Sequence, residues 1–236
     1  MTKEERELLG NSLNNRGWEL ETGEKPDIDG AVSWYEKAAK LGNATAMVNL
    51  GNICENREDW ENAYHWYLEA AYAGDRKGMY NVANMYYWGE YVDQDYLKAY
   101  EYFRKLFDMK YPGVCLYMGL YAENGFLEEP DYEAAVRYYE QGIAEGDKYC
   151  PVNLGRMYCL GTGVPTDLKK GFELYMLGYV RGDALGATNI GYCYEVGQGV
   201  RKNQQKAAEY YSRAAEMGEE HAAEALERLK EDLRDG

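Results

Sequence analysis

The stretch NQQKAAEYYSRAAEMG, residues 203–218, contains the pattern that decides the fold. Small and aromatic residues recur in it at Ala207, Tyr210, Tyr211, Ala214 and Ala215. The spacing i, i+3, i+4, i+7, i+8 places them on one face of an α-helix. Asn203 is a favoured N-cap residue, and Gly218 is a favoured residue just beyond a helix C-terminus. The stretch therefore predicts a helix with a marked start, one packing face and a marked end.

The same pattern occurs six times along the chain. Its small residue is Ala31, Ala63, Ala99, Ala135, Gly171 or Ala207, at spacings of 32, 36, 36, 36 and 36 residues. Four residues earlier stands Asp27, Asp59, Asp95, Asp131, Asp167 or Asn203. A fixed period of this length is typical of repeat proteins. Each copy is interpreted as the second helix of a repeated hairpin.

A second recurring element precedes each of these helices. It contains a small residue after an apolar one, as in Leu50-Gly51, Val82-Ala83, Met118-Gly119, Leu154-Gly155 and Ile190-Gly191, with Asn15 in the glycine position of the first copy. Small residues let helices approach closely, and tyrosines fill the remaining gaps. The predicted helices cover 3–22 and 27–41, 44–55 and 59–73, 76–88 and 95–108, 112–124 and 131–145, 148–160 and 167–181, 184–196 and 203–217, and 220–234.

The last predicted helix has one apolar face, formed by Ala222, Leu226, Leu229 and Leu233. A helix of this kind covers the end of a stacked array, because its other face is polar. We expect an all-α protein, an α/α solenoid in one domain spanning 1–236. Its units are about 3–42, 43–74, 75–110, 111–146, 147–182 and 183–218, with a cap at 219–236.

The repeated segments resemble the Sel1-like repeat (SLR) family, a branch of the tetratricopeptide (TPR)-like superfamily. The segments that carry this resemblance are Leu154-Gly155-x-x-Tyr158-x-x-Gly161-x-Gly163-Val164-x-x-Asp167 and Ala207-x-x-Tyr210-Tyr211-x-x-Ala214-Ala215-x-x-Gly218. The resemblance covers essentially the whole chain. It implies a right-handed superhelix of antiparallel helix pairs that serves as a scaffold for other proteins.

The composition of the chain argues against nucleic-acid binding and against membrane insertion. The 236 residues include 41 acids against 26 Lys and Arg, for a net charge of −15. Nucleic-acid binding depends on clustered basic residues, which are the minority here. The longest uncharged stretch, 41–54, is shorter than the roughly 20 apolar residues of a membrane span. With no export signal, we expect a cytoplasmic, bacterial protein that does not insert into membranes.

The five cysteines separate this chain from one branch of the family. Cys54, Cys115, Cys150, Cys159 and Cys193 do not recur at a fixed repeat position. Secreted members with regular disulfides have been described as binding penicillin-like compounds. A small-molecule-binding or β-lactamase-like enzyme of that type is therefore an alternative that the cysteine pattern disfavours. We interpret these thiols as core residues.

No constellation in the sequence suggests catalysis. His65 and His221 lie in different repeats without recurring metal-ligand partners, so we expect neither a metal nor a catalytic histidine. Gly161-Thr-Gly163 and Gly197-Gln-Gly199 follow helices and lack the ending of a phosphate-binding loop, so we interpret them as turns. The sequence predicts no enzyme activity and no cofactor.

The predicted binding residues form two columns on the first helices. In the superfamily these helices line the concave groove, which implies a peptide site at Asn49, Asn52, Asn81, Asn84, Tyr117, Asn153, Arg156, Asn189 and Tyr192. An asparagine offers one acceptor and two donors, so a row of amides can bind an extended peptide backbone. The same amides could instead hydrogen-bond between adjacent helices. Both interpretations stay open at this stage.

The basic residues near this groove are few, so a neutral or basic protein segment is the expected partner. Self-assembly through exposed second-helix faces is a further alternative, although a monomer is favoured. The centre of the chain is irregular, because Lys110 stands where a C-cap glycine belongs and Leu106-Phe107 replaces small residues. This bulk predicts altered curvature between the third and fourth units, unless compensated packing absorbs it.

Overall fold

A computed structural model describes residues 1–235, with side chains as far as residue 232, and these residues form helices and no strand. The helices are α1 (Lys3–Thr22), α2 (Ile28–Ala39), α3 (Ala44–Asn56), α4 (Trp60–Tyr72), α5 (Arg76–Trp88), α6 (Tyr96–Asp108), α7 (Val114–Asn124), α8 (Tyr132–Glu145), α9 (Cys150–Leu160), α10 (Leu168–Val180), α11 (Ala184–Val196), α12 (Gln204–Glu216) and α13 (Glu220–Asp235). The predicted all-α class is confirmed.

The helices group into two compact units, residues 1–111 and 112–236. In the first unit, α1 packs on α2, α3 on α4 and α5 on α6, and each pair contacts the next. In the second unit, α7 packs on α8, α9 on α10 and α11 on α12, and α13 packs on α12. The predicted hairpins are therefore present within each unit. The single domain and the altered curvature between the third and fourth repeats stay predictions.

The predicted N-caps begin every second helix. The side chains of Asp27, Asp59, Asp95, Asp131, Asp167 and Asn203 each accept a hydrogen bond from the backbone N–H three residues later. This bond satisfies one of the donors that the first helical turn leaves without a partner. The acidic residues that recur along the chain therefore have a local structural role.

Left-handed residues end most of the second helices. Gly74, Gly146, Gly182 and Gly218 have φ between +87° and +93°. Lys110 takes the same role after α6 with φ +52°, which is costly for a residue with a side chain. The following helix α7 begins at Val114, two residues later than predicted, because Pro112 and the left-handed Gly113 precede it.

A buried aromatic ring fills the centre of each hairpin. The rings of Tyr35, Tyr67, Phe103, Tyr139, Tyr175 and Tyr211 are at most 6% exposed. The first helix meets five of these rings with a glycine, and a Cβ added to Gly119 would lie 2.3 Å from Cε1 of Tyr139. The glycines are required because a methyl group would occupy the space of the ring.

The first repeat corrects one prediction. The glycine that meets Tyr35 is Gly17, where an added Cβ would lie 2.7 Å from the ring. The repeat pattern predicts Asn15 at this position, and this is wrong because Asn15 is exposed. The shift of two residues arises because a separate connection, 23–27, joins α1 to α2.

The closing helix α13 covers the second unit with an apolar face. Ala222 and Leu229 are buried against α12, and Leu226 is partly buried in the same cluster. The side chain of Leu233 and the whole of Gly236 lie outside the described residues. Among residues 1–235, no helix has the length and apolar character needed to cross a membrane.

Candidate functional site: the exposed face of the first helices

The amides of the first unit mostly bind other parts of the chain. Asn49 donates from Nδ2 to Oδ1 of Asn14 on α1 at 3.1 Å. Oδ1 of Asn52 lies 2.9 Å from the hydroxyl oxygen of Tyr67, and the amide of Asn81 lies beside the same hydroxyl. Asn84 is the exception, because its buried Oδ1 has no hydrogen-bond partner among the described residues. Three of these four amides, Asn49, Asn52 and Asn81, therefore contact side chains of neighbouring helices.

The predicted site residues of the second unit differ in exposure. Tyr117 is buried, with only 8% of its surface exposed. Asn153 is partly buried and donates to the backbone carbonyl of Tyr149 at 3.1 Å, and Asn189 is also partly buried. Tyr192 is 49% exposed and is the most accessible aromatic ring of the predicted set. Asn49 bonds to a neighbouring helix, whereas the bond of Asn153 stays at the start of its own helix, so both interpretations of the amides stay open.

Arg156 takes part in a network between repeats. Its guanidinium donates to Oε1 of Glu123 at 2.7 Å, and the hydroxyl of Tyr139 donates to Oε2 of the same carboxylate at 2.8 Å. Glu123 is only 7% exposed, so its charge needs both partners. The cationic groove residue that the sequence predicted is therefore already paired.

The same network recurs at the last repeat. Tyr211 donates to Glu195 at 2.6 Å, and Arg228 binds that carboxylate with contacts of 2.9 and 2.8 Å. Tyrosine–glutamate bonds also join Tyr35 to Glu21 at 2.5 Å and Tyr67 to Glu55. Burial and the neighbouring carboxylates raise the pKa of all four phenols, namely Tyr35, Tyr67, Tyr139 and Tyr211. The phenols therefore stay protonated and act as donors.

Exposed apolar residues extend the face of the first helices in the second unit. On α11 they are Leu185 and Val196, which flank Asn189 and Tyr192 at helical spacings of 4, 3 and 4 residues. Their exposed fractions are 46% and 48%. Tyr149 and Leu160 stand at the corresponding positions around α9, exposed by 44% and 65%. We call these residues, together with Asn153, Arg156, Asn189 and Tyr192, the first-helix face.

The predicted binding residues do not include the four apolar members of this face, Tyr149, Leu160, Leu185 and Val196. The signal was available, because Tyr149 and Leu185 precede the first predicted column by four residues. Leu160 and Val196 follow the second column by four residues, which keeps them on the same side of the helix. The two helices share one core with α10 through Val152 and Ile190. Both helices therefore pack against the same second helix, α10.

The buried thiols of the chain are poor nucleophiles. All five cysteines are free, and Cys115, Cys150 and Cys193 are buried. Burial, together with a hydrogen bond to Glu145, raises the pKa of Cys115 to about 12. Burial raises the pKa of Cys193 to about 12 as well, so neither forms a thiolate at neutral pH. Among the described residues, no three His, Cys, Asp or Glu side chains are grouped so that they could hold a metal ion.

Comparison with known proteins identifies the repeat. The Sel1 repeat model matches residues 10–43, 44–75, 76–111, 113–147, 152–180 and 184–219. No curated protein matches the chain at a significant level.

Solved structures with the same fold come from several bacteria. The antigen c5321 of uropathogenic Escherichia coli, which displays an SLR fold, matches with a TM-score of 0.77 and 24% identity over 100% of this chain and 53% of that one. A Sel1 repeat protein from Oxalobacter formigenes gives 0.74 and 24%, over 93% and 65%. This chain thus spans between half and two thirds of these two structures. The six matched repeats and these folds show that the chain belongs to the Sel1 repeat family of the TPR-like superfamily.

Proposed function

We propose that this chain is a non-enzymatic scaffold that binds a segment of a partner protein on the first-helix face. The repeat fold is commonly used for protein–protein interaction, and the observation that carries the proposal is the exposed row of Leu185, Tyr192 and Val196 on α11. Exposed apolar and aromatic side chains on one surface are typical of an interaction site. The amides beside them supply hydrogen bonds for the backbone of the partner.

The charge of this face supports a neutral or basic segment as the partner. Glu123 and Glu195 are neutralised by Arg156 and Arg228, so the face presents little net charge of its own. The chain as a whole is acidic, with a net charge of −15, although residues 148–213 around this face carry +4. An acidic segment would be repelled at long range, whereas a neutral or basic one would not.

Several features support a role without catalysis. The buried thiols have raised pKa values, and both histidines, His65 and His221, are exposed on separate repeats. We further propose that the chain works without a cofactor, as a monomer in the bacterial cytoplasm. A scaffold of this kind would hold its partner through surface contacts alone.

A photo-crosslinking experiment tests the proposed face. Benzoylphenylalanine is placed at Tyr192, and at Glu173 on the exposed side of α10 as the control. After irradiation in a cell extract, we expect a discrete crosslinked protein only with the probe at 192. The partner so identified should then bind Tyr192→Ala at least about tenfold more weakly than the wild type. Equal crosslinking at both positions would refute the proposed face.

The amides are tested separately with the identified partner. The variant Asn153→Ala/Asn189→Ala should weaken binding if these side chains contact the partner backbone. If binding persists while the melting temperature falls, the amides serve the packing of the helices, and the apolar stripe alone forms the site.

A further inference from the structure

Basic residues are concentrated in one part of this acidic chain. Between residues 148 and 213, nine Lys and Arg stand against five Asp and Glu, so this stretch carries +4 in a chain of −15. Three of these cations, Arg201, Lys202 and Lys206, line an open cleft of about 550 Å³ together with Tyr194, Val200 and Asn203. We call it the basic cleft. It lies where the loop 197–203 meets the first turn of α12.

The cations of the basic cleft are not neutralised by the chain. Among the described residues, Arg201, Lys202 and Lys206 form no ion pair. The carboxylates nearest in sequence have other partners, since Glu195 binds Arg228 and Glu209 binds Arg213. The N-terminus of α12 adds positive potential at the same place. The cleft therefore presents a net positive field to the solvent.

The basic cleft is built on a rigid floor. The Nζ atom of Lys206 lies 5.1 Å from the ring centroid of Tyr194. That ring stacks on Tyr210 at 5.8 Å and meets the edge of Phe172 at 5.6 Å. The loop 197–203 packs closely against the start of α10, because a Cβ added to Gly199 would lie 2.2 Å from the carbonyl oxygen of Leu168. These contacts fix the backbone of the cleft and the side chain of Lys206 before a ligand binds.

We propose that the basic cleft binds an acidic segment of a partner protein, through carboxylate or phosphate groups that pair with Arg201, Lys202 and Lys206. Guanidinium and ammonium groups form charge-assisted hydrogen bonds with such anions. Val200 and Tyr194 offer apolar contact beside them. This surface differs from the first-helix face, so the proposal goes beyond the proposed function, and either one can fail while the other holds.

The neighbouring turns favour a short acidic segment over a nucleic acid. The loop of the fifth repeat packs against the start of α8, because a Cβ added to Gly163 would lie 2.6 Å from Cβ of Tyr132. The charged residues of the corresponding turn of the fourth repeat, Glu128, Glu129 and Asp131, are all acidic, and Glu133 follows in the first turn of α8. A long polyanion that followed this row of turns would meet those carboxylates, whereas a short segment would not.

The test uses fluorescence anisotropy with three labelled probes. They are a short peptide of alternating glutamate and serine, the same peptide with phosphoserine in place of glutamate, and a single-stranded RNA of similar length. We expect the full-length protein to bind at least one of the peptides at low ionic strength and to lose affinity as salt is added. The stronger of the two peptides identifies the anion that the cleft prefers. Tighter binding of the RNA, or no binding of either peptide, would overturn the proposal.

Charge-reversal variants locate the binding. R201E/K202E changes two exposed loop residues and should weaken peptide binding at least about tenfold. K25E/K40E makes the same change in net charge at exposed residues of the first repeat and should leave the affinity within about twofold of the wild type. The conservative R201K/K202R should retain most of the affinity, since both cations remain. An equal loss in the two reversal variants would show a general charge effect and overturn the assignment to this cleft.

Discussion

The third and fourth repeats fill the same buried position with different chemistry. In the fourth, Tyr139 lies on Gly119 and donates to Glu123, which Arg156 neutralises. In the third, Phe103 takes the place of the tyrosine, and its ring meets Tyr87 edge to face at 6.2 Å. Ala83 takes the place of the glycine, and Tyr87 that of the glutamate.

The comparison shows that these positions change as a set. A phenol in the core needs an acceptor, and a buried carboxylate needs donors to offset its lost hydration. When the hydroxyl is absent, as with Phe103, the acceptor is no longer required and an aromatic ring fills its space. Each repeat is therefore internally consistent, and exchanging one member alone should be costly.

Removing the carboxylate of the fourth repeat should have the largest effect. Glu123→Ala leaves the hydroxyl of Tyr139 buried without an acceptor and removes the partner of Arg156. We expect the free energy of unfolding to fall by about 3 kcal/mol, measured by urea denaturation. The exposed loop residue Glu128 supplies the control, and Glu128→Ala should change it by less than about 0.5 kcal/mol. Equal effects would mean that the network does not stabilise the repeat.

Exchanging the small residues should have the next largest effect. Gly119→Ala places a methyl group 2.3 Å from the ring of Tyr139, and we expect a loss of about 2 kcal/mol. The reverse change in the third repeat, Ala83→Gly, creates no clash and should cost about 1 kcal/mol through helix propensity. Thermal denaturation of both variants measures the two costs. A Gly119→Ala variant as stable as the wild type would contradict the close contact.

Alkaline pH should destabilise both repeats through their buried phenols. Burial is the main cause that raises the pKa of Tyr139 above its ordinary value of 10.0, and the neighbouring Glu123 is the second. The folded state therefore holds this proton more tightly than the unfolded chain. The resulting stabilisation is complete below pH 10 and is lost as the pH rises above it, by about 1.4 kcal/mol at pH 11.

Tyr139→Phe removes this titration, so its unfolding free energy should fall less steeply above pH 10 than that of the wild type. Burial raises the pKa of Tyr87 to about 12, and Tyr87→Phe should flatten the same curve from the third repeat. Tyr72→Phe removes an exposed phenol and serves as the control for the loss of a hydroxyl group. Unchanged slopes in both core variants would contradict the raised pKa values.

The residues that end α6 and α8 should give the smallest difference in stability between the two repeats. Lys110 holds φ +52° where Gly146 of the fourth repeat holds +91°. We expect Lys110→Gly to raise the free energy of unfolding by about 1 kcal/mol, and Gly146→Ala to lower it by a similar amount. A Cβ on Gly146 would meet no atom within 4 Å, so its cost reports backbone conformation alone. If Lys110→Gly and Gly146→Ala shifted the free energy of unfolding in the same direction, the left-handed backbone conformation would not explain their effects.

The local pattern of the sequence was enough to predict the helices. Caps such as Asp131 and Gly146 act within their own turn, so their role follows from neighbouring residues. The glycine position of the first repeat was predicted wrongly. The residue that takes it, Gly17, is identified by its contact with Tyr35 and not by the residues next to it in the sequence. A partner 18 residues away is invisible to a local pattern once the connection differs in length.

The candidate site was only partly predictable for the same reason. The two columns were placed on the exposed side of the first helices, where Tyr192 indeed lies. That Arg156 is bound by Glu123, 33 residues earlier, depends on contact between repeats and has no local signal. The cleft at Lys206 was missed because the net charge of −15 concealed its concentration of basic residues.

The links between repeats also constrain how such a gene can lengthen. Arg156 and Arg228 each bind a glutamate 33 residues earlier, which is one repeat back and three positions short of the 36-residue period. A block of 36 codons copied in tandem thus carries its own glutamate but depends on the next block for the arginine. Cys159, in the glutamate position of the fifth repeat, is followed by Tyr192 rather than by an arginine. Recombination within this array therefore preserves stability only at junctions where each of these glutamates is still followed by an arginine 33 residues later.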